Sequence, residues 1–264
     1  MLSPPKCATP SQLNTTSADV PGLYRWPRQP LSVLRTCRWL ALEVKYLDPV
    51  VEFYRDHLGV DVVRTSEREV AVDVGGGAEL RFRRPDGVPR GGLHIHYALA
   101  CPADAYEKWW DRLEGEFDLR EVDFGGMRSM YFYDPVDNCV EIAGAGEEAS
   151  EDDPPLSGVF EVVLEVEDLS ASESFYVDLG FDVVDRGEDR KRTRLTTGPF
   201  DVELWEPHLG LADARGGVHV NVAVAADDPG TAADSVAARV TKRETVDGGL
   251  RVRDPDGHYL TLLN

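Results

Sequence analysis

Short runs of alternating apolar and polar residues recur along the chain, each followed by a segment with helical spacing. Leu40, Leu42 and Val44 fall at every second position, the period of a strand with one buried face. VVEFYRDHL then carries its apolar residues three and four apart. Asp48 and Pro49 before it predict an N-cap and a first-turn proline, and Gly59 predicts its stop. VDVVRT, EVAVDV and AELRFRR return to the strand period. The order of strand, helix and further strands occurs three more times. It reads as HIHYALA, AYEKWWDRL, REVDF, RSMYFYD and CVEIAG, then as a unit whose helix SESFYVDL follows a Ser170/Glu173 capping box. The last unit opens with HVNVAVA and continues through an Ala-rich helix. Four βαβββ units result.

The units repeat in pairs. FYRDHLGVDVV from Phe53 matches FYVDLGFDVV from Phe175; GGLHIHYAL from Gly91 matches GGVHVNVAV from Gly216; DPVDNCVEI from Asp134 matches DPDGHYLTL from Asp254. The offsets are 122, 125 and 120, so the two halves are collinear. Between them GEEASEDDPP is acidic, without an apolar face, and reads as a solvated linker over 146–155. Residues 1–36 are rich in Pro, Ser and Thr without periodicity and read as a flexible extension. They lack the positive start and apolar core of a secretory signal. The remaining halves are 37–145 and 156–264. Whether units pair within a half or across halves is left open by the sequence.

The charge narrows the partners. With 48 acidic and 28 basic residues the net charge is −20, which argues against nucleic acid and against anionic membrane surfaces. No apolar run approaches the ~20 residues of a membrane span. Only five of the basic residues are Lys against 23 Arg, and an acidic, Lys-poor surface suits a halophilic cytoplasm. Cys7, Cys37, Cys101 and Cys139 form no CxxC pair and read as reduced thiols of a cytoplasmic protein.

The strand–helix openings LEVKYLDPVVEFYRDHLG and LEVEDLSASESFYVDLG, with RSMYFYDPVDNCVEI and RVRDPDGHYLTLL, resemble the vicinal oxygen chelate (VOC) superfamily. That group holds glyoxalase I, extradiol ring-cleaving dioxygenases, fosfomycin-resistance enzymes and bleomycin-binding proteins. The resemblance implies an α+β fold of paired βαβββ modules, four in the chain, forming two U-shaped mixed-sheet VOC domains. On this reading 37–145 and 156–264 are the first and second VOC domains. It also implies a divalent metal on inward residues from the first and last strand of each unit. Fold resemblance does not by itself choose among the chemistries.

Register places the candidates. In the first half the positions fall on Trp39, Arg81, His94 or His96, and Glu141; in the second on Glu161, Glu203, His219 and Thr261. Trp39, Arg81 and Thr261 are poor ligands. His94, His96 and Glu141 would make a set for Fe(II) or Mn(II); Glu161, Glu203 and His219 a more oxygen-rich set for Mn or Mg. Glu141 or Glu203 could serve as general base. A competing reading pairs Glu141 with Arg81 in a metal-free salt bridge. Trp39 and Trp205 are candidates to line an aromatic pocket. His57 reads as packing and His258 as structural.

The expected function is a metal-dependent enzyme on a small molecule with two adjacent oxygens. A ring-cleaving dioxygenase comes first on architecture and a glyoxalase-type lyase second. The alternative is a non-catalytic binder, resembling the bleomycin-resistance proteins, with degenerate metal sites. A homo-oligomer is compatible with either.

Overall fold

The structure, a computed structural model, describes residues 34–85, 95–146, 156–187, 192–206 and 220–264. The N-terminal extension, most of the 146–155 linker, His94 and His219 lie outside these residues.

Each unit is built as its pattern predicts. Unit one comprises β1 (Leu34–Glu43), α1 (Leu47–Leu58), β2 (Val62–Thr65), β3 (Glu69–Asp73) and β4 (Glu79–Arg83). Unit two comprises β5 (His96–Pro102), α2 (Tyr106–Leu113), β6 (Arg120–Asp123), β7 (Arg128–Tyr133) and β8 (Cys139–Gly146). Unit three comprises β9 (Gly158–Glu165), α3 (Leu169–Leu179), β10 (Asp182–Arg186), β11 (Arg192–Thr196) and β12 (Asp201–Trp205). Unit four comprises β13 (Asn221–Ala226), α4 (Pro229–Ser235), β14 (Lys242–Val246), β15 (Gly249–Arg253) and β16 (Tyr259–Leu263).

Two helix starts differ from expectation. α1 begins at Leu47 without a side-chain cap, so Asp48 lies inside the first turn, where its charge still complements the helix dipole. In α3 the cap is Asp168, which accepts from the Ala171 N–H at 3.0 Å. Glu173 is drawn away to Arg186 and the Thr193 hydroxyl instead of closing a box with Ser170. Gly59 ends α1 as predicted, at φ +66°.

The units pair across the two halves. One eight-stranded sheet runs β14-β15-β16-β13-β1-β4-β3-β2 and so joins units one and four. The other runs β10-β11-β12-β9-β5-β8-β7-β6 and joins units two and three. Neither half therefore closes a sheet of its own, and each sheet takes one unit from each half. Within a unit the first strand is parallel to the last, while the first strands of paired units meet antiparallel, β5 against β9 and β1 against β13. At the junction the backbones close up. A side chain at Gly75 would place its Cβ 1.8 Å from the Leu156 carbonyl oxygen, and the residue sits at φ +79°.

The helices tie together what the sheets separate. In α1 the Tyr54 hydroxyl donates to Asp134 of unit two at 2.9 Å and shares a buried contact with the Tyr97 hydroxyl. In α3 the Tyr176 hydroxyl donates to Asp254 of unit four at 3.0 Å. Each aspartate also holds its own turn, Asp134 through the Asn138 N–H and Asp254 through the His258 N–H. The repeated FY and DP motifs are thus two ends of one hydrogen bond, made twice. Apolar side chains of both sheets and all four helices form one large core, including Leu40, Leu80, Phe132, Phe175 and Leu260. Cys37, Cys101 and Cys139 are buried and form no disulfide among the described residues.

Candidate metal centre

The concave face of the second sheet collects the acidic candidates. Glu141 of β8 and Glu161 of β9 both lie in register with Ala98 of β5, one on each side. Side chains paired across a ladder share a face, so the two carboxylates point the same way over a methyl group too small to part them. His96 lies two residues before Ala98 and shares that face. Its Nε2 is 3.0 Å from Glu141 and 4.0 Å from the nearer oxygen of Glu161. One ligand atom from each of the three lies within 4.8 Å of the others, and all three side chains are at least nine-tenths buried.

The surrounding groups hold these carboxylates in place. Arg194 of β11 donates to the second Glu161 oxygen at 2.7 Å and to Asp201 at 2.7 Å. Glu203 is gripped by Arg192 on one oxygen and accepts the Trp205 indole N–H on the other at 2.8 Å. Tyr131, in register with Glu141, packs its ring 5.6 Å from the His96 ring. Burial pushes the Tyr131 phenol far up, reinforced by the charges of Glu141 and Glu161. Burial likewise raises the Glu161 carboxyl; Arg194 opposes the rise, and the neighbouring Glu203 and Glu141 add to it. Four acids, Glu141, Glu161, Glu203 and Asp201, thus share two guanidiniums, which leaves negative charge in a desolvated trough.

This donor set fits a divalent cation. Burying an uncompensated carboxylate is costly, and a bound ion with an imidazole and two carboxylates removes the cost. Arg194 on the far oxygen of Glu161 leaves the near oxygen directed at His96, the way an outer partner orients a ligand.

The same four positions in the first sheet hold nothing comparable. Ladder registers match Trp39 with Glu161, Arg81 with Glu203, Thr261 with Glu141 and Asn221 with His96. The Thr261 hydroxyl donates to the Asn221 side chain at 3.0 Å, and Arg81 lies 4.4 Å over the Trp39 ring. The sequence assigns His94, His96 and Glu141 to one site and Glu161, Glu203 and His219 to another; among the described residues, unit exchange brings His96, Glu141, Glu161 and Glu203 into one trough. The proposed bridge between Arg81 and Glu141 is excluded, since they belong to different sheets, and Arg81 pairs with Glu79 at 2.8 Å. The partners missed were Arg192, Arg194 and Asp201, which alternation alone would have placed on the concave face. His258 is structural as expected, its Nε2 2.8 Å from the Glu165 carbonyl. His57 packs against Phe53 and Phe117.

Comparisons with known proteins agree with this architecture. The family model "Glyoxalase/Bleomycin resistance protein/Dioxygenase superfamily" matches residues 37–142 and again 158–262. A stretch of 102 residues, 36% of this chain and 73% of the relative, is 28% identical to Metallothiol transferase FosB from Staphylococcus haemolyticus (strain JCSC1435). Among solved structures, a protein from Bacillus subtilis subsp. subtilis str. 168 provisionally described as a dioxygenase superposes with a TM-score of 0.64 at 19% identity. That match covers 86% of this chain and 84% of the other. Glyoxalase I from Zea mays gives a TM-score of 0.57 at 18% identity, covering 86% and 92%. These two likenesses bear on the fold. Among the described residues no helix is long and apolar enough to cross a membrane.

Proposed function

The chain belongs to the Glyoxalase/Bleomycin resistance protein/Dioxygenase superfamily, and from that premise we propose that it is a divalent-metal-dependent enzyme acting on a small molecule with two adjacent oxygens, with chemistry nearer a glyoxalase-type lyase than a ring-cleaving dioxygenase. The observation that carries this reading is the convergence of His96, Glu141 and Glu161 from three strands of two units. One imidazole with two carboxylates is an oxygen-rich set, which favours a hard ion such as Mn(II) or Mg(II) over a set dominated by histidine.

In this proposal His96 Nε2, one Glu141 oxygen and the near Glu161 oxygen hold the ion, which would supply Lewis acidity toward two neighbouring substrate oxygens. Arg194 fixes the Glu161 carboxylate from behind. Tyr131 keeps its proton and closes the wall beside Glu141 and His96. Glu203 is the candidate for proton transfer. Arg192 compensates its charge at one oxygen, and the other accepts only a neutral indole N–H, so that oxygen can exchange a proton with a bound substrate.

Metal analysis of protein purified without chelator tests the reading. We expect close to one ion per chain, because among the described residues only one trough carries the donor set, and loss of that ion in His96→Ala. Two ions per chain, or occupancy unchanged in His96→Ala, refutes it. Turnover of a 2-oxoaldehyde hemithioacetal in preference to a catechol supports the lyase assignment; the reverse preference returns it to a dioxygenase.

A further inference from the structure

Among the described residues the trough of the first sheet holds no metal-ligating set and carries a different chemistry. Its floor carries Trp39, Ala41 and Ala223 in one apolar group with Leu263 against it. Arg81 and Arg83 of β4 both lie over the Trp39 ring, at 4.4 and 5.0 Å. Opposite, Arg251 and Arg253 of β15 flank the Tyr259 ring at 5.3 and 5.7 Å. The two walls thus repeat one motif, an aromatic ring with two guanidiniums, contributed by units one and four.

Charge is divided unevenly between these walls. On the unit-one wall three guanidiniums, Arg64, Arg81 and Arg83, pair with Glu69 and Glu79, and the ladders set Glu43 beside Arg83 and Asp73 beside Glu79 on the same face. On the unit-four wall Lys242 and Arg251 share Glu244, while Arg253 donates through Nε to the Gly257 carbonyl at 3.2 Å. The unit-four wall, with three basic groups to one carboxylate, carries excess positive charge in a protein whose net charge is −20. The position held by carboxylate-binding Arg194 in the other trough is Ala71 here, in register with Arg81. Arg81 is partly buried, and burial lowers its pKa despite the help of Glu79. Its Nε donates to Glu79 at 2.8 Å, and among the described residues its two terminal amines make no hydrogen bond. Those amines form the planar fork that takes a carboxylate with two parallel bonds.

We propose that the first-sheet trough is a second, metal-independent ligand site for a small aromatic carboxylate, its anion held by the terminal amines of Arg81 and its flat body against the apolar and guanidinium surface around Trp39. Arg83 adds a second positive charge over the same ring. The excess charge of the unit-four wall favours an anion, and the aromatic and guanidinium planes favour a flat organic body over a bare inorganic ion. The inference is independent of the metal centre, which lies in the other sheet.

Benzoate is the probe. The full chain is treated with EDTA to silence the second trough, and the tryptophan indole N–H signals are followed by two-dimensional NMR during titration. Trp39→Phe assigns the relevant signal. We expect a saturable shift of the Trp39 indole with a Kd of about 1 mM or tighter, and at least a tenfold weaker Kd in Arg81→Gln. Sulfate at the same ionic strength leaves the signal in place. Arg83→Gln, expected to weaken binding as well, serves if Arg81→Gln does not fold. No saturable shift, an effect confined to Trp205, an equal response to sulfate, or undiminished binding in the folded arginine variant overturns the proposal.

Discussion

Substituting Glu161 by Gln separates what the carboxylate costs from what it contributes. In the metal-free protein the Glu161 and Glu141 ligand oxygens lie within 4.8 Å of each other in a buried trough. Two unit charges at that separation repel by about 3–4 kcal/mol at an effective dielectric constant near 20. Gln removes this repulsion but also loses the buried pair with Arg194, whose geometry at 2.7 Å returns a large part of it. The net expectation is a metal-free variant more stable at pH 8 by about 1–2 kcal/mol, or roughly 2–8 °C in Tm for a chain of this size. The pH dependence carries the sign. Because burial raises the Glu161 carboxyl, the folded chain keeps that proton at pH values where the unfolded chain has released it. Stability is therefore fullest below the ordinary glutamate range and is lost as pH rises through the folded-state value. Wild type should lose more stability than Glu161→Gln between pH 5 and pH 8. Adding Mn(II) reverses the order, because an ion at a hundred times its Kd stabilises the wild type by about 2.7 kcal/mol and the variant much less. Thermal melts at both pH values, in EDTA and in MnCl2, give all four numbers. A variant less stable than wild type by the same amount at both pH values, yet still stabilised by Mn(II), would refute both the electrostatic account and the ligand assignment.

Two further expectations concern the frame. Tyr176→Phe removes the hydroxyl that donates to fully buried Asp254 and should cost about 1–3 kcal/mol in urea denaturation, the penalty for a buried acceptor that loses its donor; a loss under about 0.5 kcal/mol would show that the link between units three and four is dispensable. Gly75→Ala sets a Cβ 1.8 Å from a carbonyl oxygen at φ +79° and should cost on the order of 3 kcal/mol by strain and displacement. Hydrogen exchange should then rise first where residues 156–158 meet unit one, and a variant melting within a degree of wild type would contradict that close approach.

The four-unit plan was legible because each element has a local cause. A period of two in LALEV and a period near 3.6 in VVEFYRDHL do not depend on the rest of the chain. Gly59 likewise stops a helix by its own backbone freedom. The helix starts were less legible, since Asp168, Ser170 and Glu173 all offer oxygens near one turn. Which oxygen caps is decided by Arg186 and Thr193, which draw Glu173 away from distant positions in the chain.

The site was readable residue by residue but not as a site. Alternation along a strand shows that His96, Glu141, Glu161 and Glu203 point inward, because that is a property of each strand. It says nothing of which strands share a sheet, a long-range choice between units with almost the same pattern. Splitting the chain at its acidic linker therefore distributed the four residues between two incomplete centres. One feature of the sequence could have argued for exchange. If units pair within halves, each trough mixes carboxylates with Trp39 and Arg81 or with Asn221 and Thr261. If units one and four pair, the ligating and non-ligating sets separate cleanly. The electrostatics favour separation, since Arg192 and Arg194 meet the acids of one trough while Arg81 in the other already has Glu79 of its own wall as a partner. The exchange therefore does more than arrange strands: it lets one copy of a duplicated frame hold a complete donor set while the other carries guanidiniums stacked on aromatic rings.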